Sequence, residues 1–219
     1  MTEDKSRKVE EKETGRLESF SDGIFAFAIT LLVLGLHDPV QGITGNLLTG
    51  LEKEWPDFFA FFTSFVTILI MWINHHNMFN YIRKVDTPFM FLNGFLLLFV
   101  TITPFTTSLI ADHILDSNAS IAAAVYSGEF LLLSVIWNME WRYASTKHRL
   151  LSSAVTVSHV KSVDRNYNFG CLMYVIIFAL AFLSGIVSVI GMLLIGAFFA
   201  FTASSRRPLG EDSFKEIIS

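Results

Sequence analysis

From Phe169 to Thr202 the chain runs 34 residues without one Asp, Glu, Lys or Arg. A helix crossing a hydrocarbon core of about 30 Å needs about 17–25 apolar residues, so this stretch is too long for one span. The small polar run from Ser184 and Gly185 through Ser188 to Gly191 is where it divides into a tight hairpin of two. Four further stretches precede it. They are Phe20–Leu36 with Asp22 near its start, Phe58–Ile82, the uncharged Pro88–Ala111, and about Ile121–Trp141 with Glu129 inside. Five such stretches in 219 residues leave too little chain to cover them as a soluble core. The expected fold class is therefore an all-α integral membrane protein with six transmembrane helices. They are placed at about 17–36, 57–82, 87–111, 119–142, 167–185 and 188–204 within a domain at 16–205. Segment 1–15 precedes this domain and tail 206–219 follows it.

Charge placement orients these spans. With the N-terminus inside, the inner segments 1–19, 83–87, 142–168 and 203–219 carry 15 of the 16 Lys and Arg, leaving only Lys53 outside. The outer segments carry Asp38, Glu52, Glu54, Asp57, Asp112 and Asp116. Such asymmetry puts both termini in the cytoplasm of a multi-pass cell-membrane protein. Only 16% of the residues are charged, against about 25% in soluble domains. A net charge of −4 excludes a strongly basic nucleic-acid binder. A single cysteine, Cys171, excludes a disulfide framework and Cys-based metal centres. A secretory leader is not expected, because the first apolar run starts only at Phe20, after a mixed-charge segment. Outside the spans, Asn46–Trp55 suggests a short interfacial helix and Arg142–Arg165 a polar, partly helical loop. No segment is large enough for a catalytic domain, so no enzyme chemistry and no cofactor are expected. No span repeats Arg or Lys at every third position, so a voltage sensor is not expected either.

The first span opens Arg16-Leu-Glu-Ser-Phe20-Ser21-Asp22-Gly23. An unpaired carboxylate at the membrane boundary is costly. In one alternative, Ser21 or Asp22 caps a helix that begins there. In the other, both lie inside a continuous helix and form a polar lock with a neighbouring span, with Arg16 as local compensation. The best partner is the inner end of the second span, Trp72-Ile-Asn74-His75-His76-Asn77, which sits at similar depth. Adjacent histidines point about 100° apart on a helix, so His75 and His76 do not serve one metal together. A structural hydrogen-bonding role suits them better, with a proton relay as the lesser option.

These residues carry a resemblance. Arg16-x-x-x-Phe20-Ser21-Asp22 followed by Ile24-Phe-Ala-Phe-Ala-Ile-Thr30-Leu-Leu resembles the signature of the transmembrane protein 175 family, the lysosomal potassium channels of animals and their bacterial relatives. Trp72 with His75, and Asn93 on the third span, are similar to further family positions. The resemblance implies six spans per repeat, a pore lined by the first span of each repeat, and conduction favouring potassium without a carbonyl filter. This chain has room for one repeat, which implies a homotetramer. The implied lock comprises Arg16, Phe20, Ser21, Asp22, Trp72, Asn74, His75 and Asn93.

Phe27, Leu31 and Leu34 fall at i, i+4 and i+7 with Thr30 beside them, one stripe of the first helix. On composition alone such a stripe is lipid-facing or packing surface. Around a shared fourfold axis it becomes a hydrophobic constriction that gates by dewetting, with Thr30 hydroxyls near a partly dehydrated K⁺. Phe27 stands where the family commonly has Ile or Leu, so either Phe27 or Leu31 forms the narrowest ring. The rival functional class is a proton-coupled secondary transporter using Asp22, His75, His76 and Glu129 as a relay. Such a carrier needs paired halves with broken helices near the membrane midplane. Pro104 is the only proline deep in a span, and no internal repeat is evident.

Overall fold

The computed structural model describes residues 2–36 and 46–204. The fold is all-helical: α1 (Thr2–Leu31), α2 (Leu47–Lys53), α3 (Trp55–Phe79), α4 (Thr87–His113), α5 (Ala119–Ser145), α6 (Val157–Ala181) and α7 (Gly185–Ser204). Among the described residues, five helical segments are long and apolar enough to cross a membrane: Thr14–Gly35, Trp55–Phe79, Thr87–His113, Ala119–His148 and Gly185–Thr202. Outer-loop residues 37–45, Asp38 among them, and the expected tail 206–219 lie outside the described residues.

Local chemistry sets the helix ends. Asn46 caps α2 by accepting from Leu48 N–H at 3.2 Å, and Asp86 caps α4 by accepting from Phe89 N–H at 3.1 Å. Pro56 and Pro88 occupy first turns, where the missing N–H has no intrahelical acceptor. Continuous helix through Ser21 and Asp22 removes the capping alternative for them. The helix expected at 17–36 instead begins at Thr2, stops as an α-helix at Leu31 and tightens into a 3-10 turn over Leu32–Gly35 before an extended Leu36.

The largest departure concerns residues 142–168. Thr156 accepts from His159 N–H at 3.3 Å and starts α6 there, ten residues before the expected 167. Charged Lys161, Asp164 and Arg165 fit this first half because it lies beside the end of α5, where Trp141 Nε1–H donates to Asp164 at 2.7 Å. The apolar second half ends at Ala181, and three residues turn the chain into α7. Gly185 makes that turn possible, since a Cβ on it would lie 2.6 Å from the Ala119 carbonyl oxygen.

Packing forms one bundle, with α5 between α4 and α6, α1 against α3 and α4, and α7 against α3, α5 and α6. A second apolar cluster closes the end where α3 stops, around Met78, Ile82, Phe89, Trp141 and Leu150. Two connections pair there: Arg83 N–H donates to Leu150 O and Ser152 N–H to Tyr81 O, both at 2.8 Å. Lys147 and His148 take left-handed φ values of 55° and 52° to make the bend leading in. Asp86 fastens the same corner, accepting from Tyr143 Oη at 2.8 Å and pairing with Arg149 at 3.0 Å. Burial opposes its ionisation, but the bonds from Tyr143 and Phe89 and the Arg149 charge outweigh this, so its carboxyl titrates below the usual range.

Candidate functional site

The leading helix has two unlike sides. Ser21, Phe25, Ala28 and Leu32, spaced 4, 3 and 4 apart, are buried against α3 and α4. Phe20, Gly23, Phe27, Thr30 and Leu34 lie uncovered on the other side; Phe27 is 57% exposed and Leu34 75%. One side is braced. The other has no partner among the described residues.

The bracing is a hydrogen-bond chain across three helices. Ser21 Oγ donates to Leu17 O at 2.9 Å and accepts from Asn93 Nδ2 at 2.9 Å. Asn93 Oδ1 lies 2.9 Å from His75 Nε2. An amide oxygen only accepts, so His75 carries its proton on Nε2. Ser21 and Asn93 are wholly buried, and His75 nearly so, between Phe25 at 5.3 Å, Phe79 at 4.6 Å and the edge of Trp137 at 6.2 Å between ring centroids. A second link runs alongside, Trp72 Nε1–H donating to Asp22 Oδ1 at 2.8 Å. The bond from Trp72 satisfies one oxygen of a carboxylate that is still exposed at the helix surface.

Five of the eight residues expected in the lock are thus brought together: Ser21, Asp22, Trp72, His75 and Asn93. Arg16 and Phe20 stand exposed, and no hydrogen bond or ion pair joins Arg16 to Asp22. Asn74 faces elsewhere, its Nδ2 donating to Ile70 O at 2.9 Å within α3. His76 lies tilted beside Trp72, 6.2 Å between ring centroids, and is exposed. No cluster of three or more His, Cys, Asp or Glu able to hold a metal occurs among the described residues.

Of the stripe, Phe27, Thr30 and Leu34 lie on the uncovered side, while Leu31 is half-buried at its edge. Leu31 is still in the α-helix and points about 40° from Phe27 towards Ala28 and Leu32 on the covered side, which partly shields it. Thr30 Oγ1 donates to Phe27 O at 2.8 Å, which leaves its lone pairs facing outward as acceptors.

Glu129 has partners that sequence reasoning missed. Thr103 Oγ1 donates to Oε1 at 2.6 Å, and Thr106 Oγ1 donates to Oε2. Beside them Thr107 donates to Ser64 at 2.8 Å, and Ser64 meets Tyr126 Oη at 3.3 Å. The signal was present as Thr103-Pro-Phe-Thr106-Thr107, three hydroxyls on one turn of an apolar span.

A bundle of long apolar helices, sealed by buried polar bonds and with few ionisable residues inside its spans, defines a polytopic helical membrane protein. The sequence profile of the family described as "Endosomal/lysosomal potassium channel TMEM175" matches residues 16–104. A potassium channel of Chamaesiphon minutus is 41% identical over 198 residues, covering 90% of this chain and 98% of that protein. A potassium channel of Streptomyces collinus is 34% identical over 190 residues, 86% and 92% of the two chains. The crystal structure of a lysosomal potassium-selective channel TMEM175 homolog from Chamaesiphon minutus superposes with a TM-score of 0.81 at 39% identity, covering 89% of this chain and all of that one. The chain belongs to the TMEM175 family.

Proposed function

We propose that this protein is a passive cation channel of the cell membrane that favours potassium. It crosses the bilayer six times with both termini cytoplasmic, and four copies gather their α1 helices around a central path. The observation that carries this is the asymmetry of α1: a hydrogen-bonded, fully buried side opposite an uncovered side bearing Phe27, Thr30 and Leu34. Relatives named potassium channels cover nearly the whole chain and supply the ion. Phe27, with Leu31 at its flank, narrows the path by dewetting; Thr30, one turn further outward, meets the partly dehydrated ion. Ser21, Asp22, Trp72, His75 and Asn93 hold α1 in register, so the gate residues do not drift.

The relay needed by a proton-coupled carrier finds no support. Asp22 is engaged by Trp72, His75 by Asn93, and Glu129 by Thr103 and Thr106, with no hydrogen bond linking Glu129 to His75. The test is K⁺ flux from liposomes holding the purified protein. Flux should be non-saturating and indifferent to an imposed proton gradient, and replacing Phe27 and Leu31 together with Ala should raise it. Saturating, proton-driven uptake, or flux unmoved by the double substitution, would refute the proposal.

A further inference from the structure

α6 packs against α5 and α7, whereas α1 packs against α3 and α4, which puts the seam between α5 and α6 on the flank away from α1. On that flank three exposed cations gather at the end of the bundle where α5 stops: Arg142 of α5, and Lys161 and Arg165 of α6. Asn168 joins the two helices there. Its Oδ1 accepts from Arg142 Nη2–H at 2.8 Å and from Asn138 Nδ2–H at 2.9 Å. The Arg142 guanidinium is thereby tied to α6 one turn from Arg165, and residues three or four apart on a helix have Cβ atoms about 5–6 Å apart. Lys161 stands one further turn along the same stripe.

Among the described residues none of the three cations pairs with an Asp or Glu. Asp164 points about 100° away from Arg165 around the helix and accepts from Trp141 of α5. Glu140, two residues before Arg142, is wholly buried. Towards the bilayer both helices turn apolar on the same stripes. Val135 lies one turn from Asn138, and Leu172 and Val175 lie one and two turns from Asn168, all exposed.

We infer that this seam seats an anionic phospholipid of the leaflet at this end, the inner one on the orientation proposed above. Arg142 and Arg165 hold its phosphate with Lys161 beside them, and an acyl chain lies over Val135, Leu172 and Val175. A guanidinium donates to phosphate through two parallel N–H bonds, and two arginines from separate helices reach different oxygens of one group. A zwitterionic lipid brings its own cation, which the cluster repels. The site belongs to a lipid rather than a soluble anion because it sits where two crossing helices leave the apolar zone.

The purified full chain in detergent is titrated with dioleoyl phosphatidylglycerol or dioleoyl phosphatidylcholine, and bound lipids are counted by native mass spectrometry. Phosphatidylglycerol should bind the more tightly, with one tight site per chain. Arg165 makes no side-chain hydrogen bond among the described residues, so Arg165→Gln leaves the fold alone. It should weaken phosphatidylglycerol about fivefold, and Arg142→Gln with Arg165→Gln about 25-fold, with phosphatidylcholine unmoved. Lys84→Gln removes an exposed cation between α3 and α4 and should change neither lipid, and free glycerol 1-phosphate should displace neither. Equal binding of the two lipids, or a preference that survives the double variant, overturns the inference. So does a preference lost equally in Lys84→Gln, displacement by glycerol 1-phosphate, or a changed oligomer mass in the variants, which would seat a second copy on the seam.

Discussion

Asn93→Ala removes the joint through which α1, α3 and α4 are tied. The side chain is wholly buried and makes two hydrogen bonds, one to Ser21 Oγ and one from His75 Nε2–H, each at 2.9 Å. Interhelical bonds inside membrane proteins average about 0.6 kcal/mol, so the pair contributes about 1.2 kcal/mol. The substitution also strands the His75 N–H among Phe25, Phe79 and Trp137, where no water replaces its acceptor, at about 1–3 kcal/mol. The stranded donor is the larger effect, and the total is about 2–4 kcal/mol. In a chain of this size that lowers Tm by about 5–15 °C. Tryptophan fluorescence of the detergent-solubilised protein on heating measures it. Ser21→Ala leaves His75 satisfied through Asn93 but strands the buried Asn93 Nδ2 donor, and should cost about 1–3 kcal/mol. In the double variant the two losses should fall short of their sum, because they share a bond. A folded Asn93→Ala protein melting within about 2 °C of wild type would show that the chain of bonds carries no weight.

Glu129→Leu should cost less than about 2 kcal/mol on the same melting assay, because Thr103 and Thr106 keep fallback acceptors in Phe99 O and Thr103 O. Glu129→Gln should leave flux and its response to pH unchanged, and a lost pH response would revive the relay. Gly185→Ala drives a methyl group into the Ala119 carbonyl, a backbone atom that has little room to yield, and should destabilise the α6–α7 hairpin by about 1–3 kcal/mol in urea or thermal unfolding. Asp86 titrates below its ordinary 3.8, so its contribution is complete above that pH and fades as pH falls through the lowered folded value. Asp86→Asn should therefore lower stability at neutral pH, with the gap to wild type closing in acid, as acid-titrated melting curves will show.

The bilayer made most of this fold legible, since long uncharged runs have few alternatives and the hairpin at Ser184 follows from length alone. Ser21, Asp22, Trp72 and His75 stood out because polar groups in or beside apolar spans must find one another, whereas Asn93 was marked only by the family resemblance. Their wiring was not legible. Ser21 reaches His75 only through Asn93 on a third helix, a geometry that depends on how α4 rotates against α1. The same rotation hides the match between Glu129 and the hydroxyls of Thr103 and Thr106. Periodicity placed Leu31 with Phe27 and Leu34, but it gives only a direction around the helix axis, not the edge at which neighbouring helices stop covering it. Residues 157–168 read as loop because they are charged; a helix running beyond the apolar zone has the same composition.

At about 1.5 Å per residue, the 30 residues of α1 make a rod about 45 Å long, half again the thickness of the hydrocarbon they cross. No hinge interrupts it between Thr2 and Leu31. One unbroken helix joins its first turns to Phe27, and Ser21 sits between the two, pinned to its neighbours. Whatever grips the first turns of α1 acts on the same rod that carries the proposed gate.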